Sequence, residues 1–200
     1  MAKFFTQTKN YMTPIEIFKK WFDDEKTLST SGVPSAVCLS TIGLDGFPNA
    51  RFVSLKALID DCFIITGPLN SRKALEMKKQ DKVALTFWWP HSERQIRIQG
   101  LSTGIRDELA VIYFGERSRI SQAVSSISKQ GEAIENLTVL ETKVLEMASE
   151  GTKINRPNHW GGFSIQPIRI ELMEFKKNRI HERKMYEFEN GSWTVRQIQP

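Results

Sequence analysis

The sequence predicts an α+β fold in which an antiparallel sheet closes on itself as a small barrel with flanking helices. Three observations carry that reading. From Ala36 to Gly100 apolar residues recur with period two in five successive runs. Most of those runs are joined by short turn-forming stretches, with helices inserted among the strands rather than alternating with them. From Phe163 onward the chain returns to strand-like alternation. A doubly wound parallel sheet would alternate strand and helix, and is disfavoured.

The elements follow in order. Thr13-Pro14-Ile15-Glu16 has the form of a capping box with proline at the first helical position. Ile15, Phe18 and Phe22 then repeat at helical spacing, so an amphipathic helix of about four turns is expected, with residues 1–12 a flexible segment before it. Strands are expected at AVCLSTI (36–42), NARFVSLKAL (49–58) and CFIITG (62–67), with turns at Gly43–Gly46 and Asp60-Asp61. NSRKALEMKKQ (70–80) reads as a short helix that Asn70 or Ser71 can cap. KVALTFWW (82–89) and RQIRIQG (94–100) read as strands, and about 106–117 and 132–149 as two further helices. The tail offers FSIQPIRIELMEF (163–175), RIHERKMYEF (179–188) and SWTVRQI (192–198), the last pair joined by an Asn190-Gly191 hairpin signal. With no repeat, low-complexity segment or linker, residues 1–200 read as a single domain, and 151–158 is expected to be a long loop.

Composition narrows the function. At 40% hydrophobic and 26% charged residues the chain is neither disordered nor fibrous. No apolar run approaches the roughly 18 residues of a membrane span, and the opening MAKFFTQTKNYM lacks a signal stretch, so a soluble, cytoplasmic protein with no membrane partner is expected. Cys38 and Cys62 sit in apolar runs and read as reduced core residues; no metal site is expected. The net charge of +5 favours anionic partners. Because the cations fall in short scattered groups, small phosphorylated ligands are expected ahead of nucleic acid. No Gly-rich phosphate loop, HExxH, CxxC or GxSxG motif is present.

Five groups of residues can carry chemistry. Ser71-Arg72-Lys73 opens a helix, where free N–H groups and two cations suit a phosphate, or simply form a solvated helix start. Arg179, His181 and Arg183 share one face if they lie on a strand; they bind an anion there, or form a surface ladder with Glu171, Glu182 and Glu187. Arg51 and Lys56 bracket an apolar stretch with opposite parity, so they touch different parts of a ligand, straddle a bulge, or one reaches to water. Gln95, Arg97 and Gln99 form a polar face that reads a heterocycle edge or meets solvent. Tyr113, Arg117 and Ser121 fall at i, i+4, i+8, one stripe matched to a phosphate if the helix continues.

Together these residues form a pattern. RFVSLK (51–56), NSRKALE (70–76), ERQIRIQG (93–100), YFxxRxxxSQ from Tyr113, SKQ (128–130), HWGGF (159–163) and NRIHER (178–183) stand in an order that resembles pyridoxamine 5'-phosphate oxidase, over about residue 15 to Pro200. Seven separated motifs in order are far more specific than any one. The resemblance implies a six- to eight-stranded FMN-binding split β-barrel that dimerises with flavin at the subunit interface. It implies flavin contacts from Arg51, Lys56, Thr66, Arg72, Lys73 and Gln95, with Gln130 and Arg183 from the partner subunit. It implies that Lys56, Tyr113, Arg117 and Ser121 hold the substrate phosphate, while Arg179 and His181 cover the pyridine ring as the catalytic pair. The implied reaction takes a hydride from C4' of pyridoxine or pyridoxamine 5'-phosphate to flavin N5, with O2 reoxidising the flavin to give peroxide. Four departures fall on the flavin side. Met173 replaces a tryptophan, Ile65 stands where an aromatic is common, Gly131 replaces a serine, and TGPLNSRK is one residue longer than usual. The lost aromatic area is expected to weaken flavin binding by about 0.5–1.5 kcal/mol.

Overall fold

A computed structural model describes residues 12–30 and 33–200; of the N-terminal segment expected over 1–12, only Met12 lies among them. The described residues form five helices and eight strands: α1 (Pro14–Leu28), β1 (Ala36–Ile42), β2 (Pro48–Ile59), β3 (Cys62–Pro68), α2 (Arg72–Lys79), β4 (Lys82–Trp89), β5 (Arg94–Gly104), α3 (Asp107–Gly115), α4 (Arg119–Ile127), α5 (Leu137–Ser149), β6 (Trp160–Glu174), β7 (Glu182–Glu189) and β8 (Ser192–Ile198). Strand order is β3-β2-β1-β4-β5-β6-β7-β8, and β3 also pairs with β6. That extra pairing closes six antiparallel strands into a barrel, while β7 and β8 continue the sheet outward from β6.

The period-two alternation produces this closure, since one face of each strand must be apolar to fill a small barrel. Val37, Leu39, Phe63, Leu85, Phe87, Ile96, Ile98 and Ile165 are all buried in one core. Helix α1 plugs it. The capping box forms as the sequence dictates: Thr13 N–H donates to Glu16 Oε2 (2.7 Å), and Glu16 N–H to Thr13 Oγ1 (3.2 Å). Phe18 then meets Phe63 and Phe87 edge-on, with ring centroids 4.9 and 5.1 Å away. Each such fully buried side chain contributes roughly 1.5–3 kcal/mol. Gly162, in the HWGGF motif, serves closure: a Cβ there would stand 2.4 Å from the Ile65 carbonyl oxygen across the β3–β6 seam.

Several expectations are corrected. The helix expected over 106–117 ends at Gly115, and α4, which the sequence reading left unassigned, starts at Arg119. Ser118 makes the break, because its hydroxyl caps α4 by accepting from Ser121 N–H (3.3 Å). Helix α5 begins at Leu137, not 132, where Asn136 caps it by accepting from Val139 N–H (3.3 Å). Strand β7 begins at Glu182, three residues late. Arg179 adopts φ +65°, and Asn178 Oδ1 accepts from Ile180 N–H, so a turn occupies the expected strand start. Cys38 and Cys62 are free and half-buried, not core: on β1 the buried positions are Val37, Leu39 and Thr41, which sends Cys38 to the outer face. Among the described residues no helix is long and apolar enough to cross a membrane.

Candidate active site

The site is built around a carboxylate that sequence reading passed over. Glu76, on α2, is fully buried. It accepts from Thr41 Oγ1 (2.5 Å), Asn49 Nδ2 (2.6 Å), Arg51 Nη2 (2.9 Å) and Arg72 Nε (3.0 Å). Arg51 Nη1 donates in turn to Thr41 Oγ1 at 2.5 Å, and Arg72 Nη2 donates to Asp45 Oδ2 at 2.9 Å. Burial pushes the Glu76 carboxyl up, but the hydrogen bonds from Thr41, Arg72, Arg51 and Asn49 outweigh it and hold the group below its usual range. Two guanidiniums are thereby fixed at the start of α2. The i,i+4 spacing of Arg72 and Glu76 was the available signal.

Beside them lies a cavity of about 610 Å³, lined among others by Arg51, Lys56, Thr66, Lys73, Arg117 and Gln130. Lys73 Nζ donates to Gln130 Oε1 (2.8 Å) and Ser71 Oγ (3.3 Å), and no carboxylate among the described residues pairs with it. Burial, and then the charge of Arg51, push its pKa down. Gln130, which the resemblance assigns to the partner subunit, thus meets Lys73 of its own chain. Ser71 sits at the N-cap of α2, but its hydroxyl donates back to the Pro68 carbonyl (2.7 Å) and leaves the helix N–H groups uncapped.

The parity conflict of Arg51 and Lys56 resolves as a bulge. Leu55 pairs with Ile65 and Ala57 with Ile64, so Lys56 is the extra residue and both cations line the same cavity. Lys56 Nζ lies 2.6 Å from Glu116 Oε2 and 5.1 Å from the centre of the Tyr113 ring. Arg117 lies 5.2 Å over the Trp160 ring. Its Nε is buried without a partner, no carboxylate pairs with it among the described residues, and burial pushes its pKa down. The expected Tyr113–Arg117–Ser121 stripe is corrected: the three lie on α3, the intervening turn and α4. Arg117 Nη2 reaches the Ser121 carbonyl at 3.5 Å, and Ser118 Oγ donates to Ser121 Oγ at 2.9 Å. Tyr113 is buried beside Lys56, and neither it nor Ser121 lines the cavity.

A second group lies elsewhere. Gln95, Met173 and Arg183 stand in one register row across β5, β6 and β7. Arg183 is anchored by buried Glu171 (Nη2 to Oε1, 2.7 Å), which also pairs with Arg97 (3.0 Å). His181 lies in the turn before β7, its Nδ1 accepting from Lys176 N–H (3.1 Å) and its ring 4.8 Å from Phe175. Arg179 is exposed in the same turn. The expectation that Arg179, His181 and Arg183 share a strand face is therefore corrected, since only Arg183 lies on β7. None of these five residues lines the 610 Å³ cavity. Of the flavin-side departures, Ile65 is buried in the barrel core. Gly131 adopts φ +92°, where a serine would be strained.

Residues 31–150 match the family described as pyridoxamine 5'-phosphate oxidase, and residues 160–200 match the pyridoxine 5'-phosphate oxidase C-terminal dimerisation region. The chain is 36% identical over 188 residues to a pyridoxine/pyridoxamine 5'-phosphate oxidase of Flavobacterium johnsoniae, covering 92% of this chain and 88% of that one. It is 38% identical over 189 residues to one of Leptospira biflexa, covering 94% and 89%. Among solved structures, PhzG from Burkholderia lata in complex with tetrahydrophenazine-1-carboxylic acid superposes with a TM-score of 0.90 at 24% identity, over 100% of this chain and 98% of that one. A pyridoxamine 5'-phosphate oxidase-related, FMN-binding protein from Nostoc punctiforme gives 0.77 at 15% identity, over 94% and 98%. These two likenesses concern the fold alone.

Proposed function

The chain belongs to the pyridoxamine 5'-phosphate oxidase family, and on that footing we propose that it is an FMN-dependent oxidase of pyridoxamine or pyridoxine 5'-phosphate. The product is pyridoxal 5'-phosphate, with O2 as acceptor and hydrogen peroxide released. The observation that carries this reading is the cavity itself, where half-buried Arg117 and Lys73 lack any carboxylate partner among the described residues. Partly desolvated cations without a counter-charge cost stability, and phosphate oxygens would relieve that cost.

The residues present fit FMN. Arg51, Arg72 and Lys73 converge on the start of α2, where its phosphate would sit against uncapped N–H groups, with Thr66 and Gln130 alongside. Bound FMN would supply the two-electron acceptor and the reaction with O2. Lys56 and Arg117 would hold the substrate phosphate, with Tyr113 and Ser121 behind them. Anchoring that end fixes where C4' lies, and such positioning is a large part of what a protein adds to cofactor chemistry. Oxidation of the alcohol removes a hydride and a proton, which leave as H2O2; the amine also takes up water and releases ammonia.

Gln95, Met173, Arg179, His181 and Arg183 lie outside the cavity, so in this reading they serve the site of a second copy in a homodimer. The matched dimerisation region supports that arrangement. So does Phe52, which lines the cavity and is 75% exposed in the single chain.

The purified protein is expected to be yellow and to release peroxide from pyridoxine 5'-phosphate, with unphosphorylated pyridoxine a far poorer substrate. Absence of flavin binding would contradict the reading. Equal use of both substrates would favour a related flavin oxidase of the PhzG type.

Lys73→Met gives a further expected result. A base whose folded pKa is depressed costs stability below that pKa, and the cost disappears as pH rises through it. Without FMN the variant should therefore melt above wild type at neutral pH, while the rise in melting temperature on adding FMN should largely vanish. A variant melting below wild type that still responds to FMN would contradict the assignment.

A further inference from the structure

Lys56 and Arg117 face one cavity but differ in their company. Arg117 has no anionic partner among the described residues, whereas Lys56 lies 2.6 Å from the carboxylate of Glu116. Glu116 is the C-cap of α3, tied at its backbone N–H to the Ile112 carbonyl (3.1 Å). Among the described residues no other hydrogen bond or ion pair holds its carboxylate. The chain's structural carboxylates are different: buried Glu76 accepts four hydrogen bonds, and buried Glu25 accepts from His91 and Ser92. Lys56 and Glu116 are 31% and 50% exposed, and a pair that open to water contributes little to folding. What the Glu116 charge does is occupy Lys56.

A phosphate monoester carries the same sign. Sharing the Lys56 ammonium with Glu116 sets two anions against each other, so phosphate binding is favoured when the carboxylate leaves. Glu116 is free to do so, being at the surface, in a turn between two helices. We infer that Glu116 is an affinity-setting residue of the substrate site, a built-in counter-ion that competes with the substrate phosphate for Lys56. The inference deepens the oxidase reading and rests on it for the identity of the ligand. Its consequence extends to the product, another phosphate monoester, which the returning carboxylate helps to expel.

The test compares FMN-saturated wild type, Glu116→Gln, Lys56→Met and the double variant. Two quantities are measured: KM for pyridoxine 5'-phosphate, and the calorimetric Kd of inorganic phosphate. Glu116→Gln is expected to lower both by about three- to tenfold, and to change neither in the Lys56→Met background. Unchanged or raised values would overturn the inference. An equal drop with and without Lys56 would also overturn it, because Glu116 would then act as a general field. If none of the proteins turns over pyridoxine 5'-phosphate yet the Kd still falls only when Lys56 is present, the counter-ion stands and the oxidase reading fails.

Discussion

Glu76→Ala is expected to lower the stability of the folded chain by about 3–5 kcal/mol, the range for removing one partner of a buried ionic network. The carboxylate is fully buried and receives a hydroxyl, an amide and two guanidiniums, so its loss strands Arg51 and Thr41 inside the wall of the barrel. Stability and FMN binding should fall together, since Arg51 and Arg72 lose the anion that orients them. Glu76→Gln preserves volume and one acceptor, and should be less destabilising while still weakening FMN binding. Urea unfolding at pH 7 and flavin titration measure both. The acid limb carries the same signature. Carboxyls whose folded pKa is lowered, as for Glu76 and Glu25, contribute stability that is complete above their unfolded value of 4.5 and is lost as pH falls through the folded value. Wild type should therefore lose stability below about pH 4.5, and Glu76→Ala should lose less over the same interval. A variant as stable as wild type at pH 7 would remove Glu76 from the centre of the site.

Arg117→Ala is expected to raise KM for pyridoxine 5'-phosphate by about 10- to 100-fold, equivalent to about 1.5–3 kcal/mol for a charge-assisted hydrogen bond. The guanidinium would contact a phosphate that stays bound in both ground and transition states, so the loss should appear mainly in KM. Flavin content should stay normal, because Arg51, Arg72 and Lys73 hold that end. The folded protein should tolerate the change, since Arg117 has a buried unpaired Nε and no ion pair to lose among the described residues. An unchanged KM would show that Lys56 alone holds the phosphate, or that the substrate carries none.

Much of this architecture is legible locally. The Thr13–Glu16 box and the alternating strands read directly, because capping and pleating depend on neighbours in sequence. The cations of the site were also visible, as charges where a core strand has no use for them. Their partners were not. Glu76 looks like any helix carboxylate until the barrel closes over it, and Glu116 meets Lys56 only because β2 bulges and α3 ends one residue earlier. The missed break at Ser118 has a related cause: DELAVIYF and RISQAVSSI are both helical in character, so only the cap decides where one stops. Cys38 shows the limit of composition, since an apolar run says nothing of which residues face the core.

Mixed dimers test the central claim, that each site is assembled from two chains. Arg117→Ala removes a cavity residue, and Arg179→Ala a residue of the exposed turn that should chiefly lower kcat. When the two variants are co-expressed with different tags, every heterodimer should hold one site with both residues intact and one with neither. Peroxide release at low substrate should then return to about a quarter of wild type in an equal random mixture, from the symmetry of a two-fold dimer. Purified heterodimers should reach about half. Activity that stays at the average of the two parents would show the site to be complete within one chain, and would contradict the account.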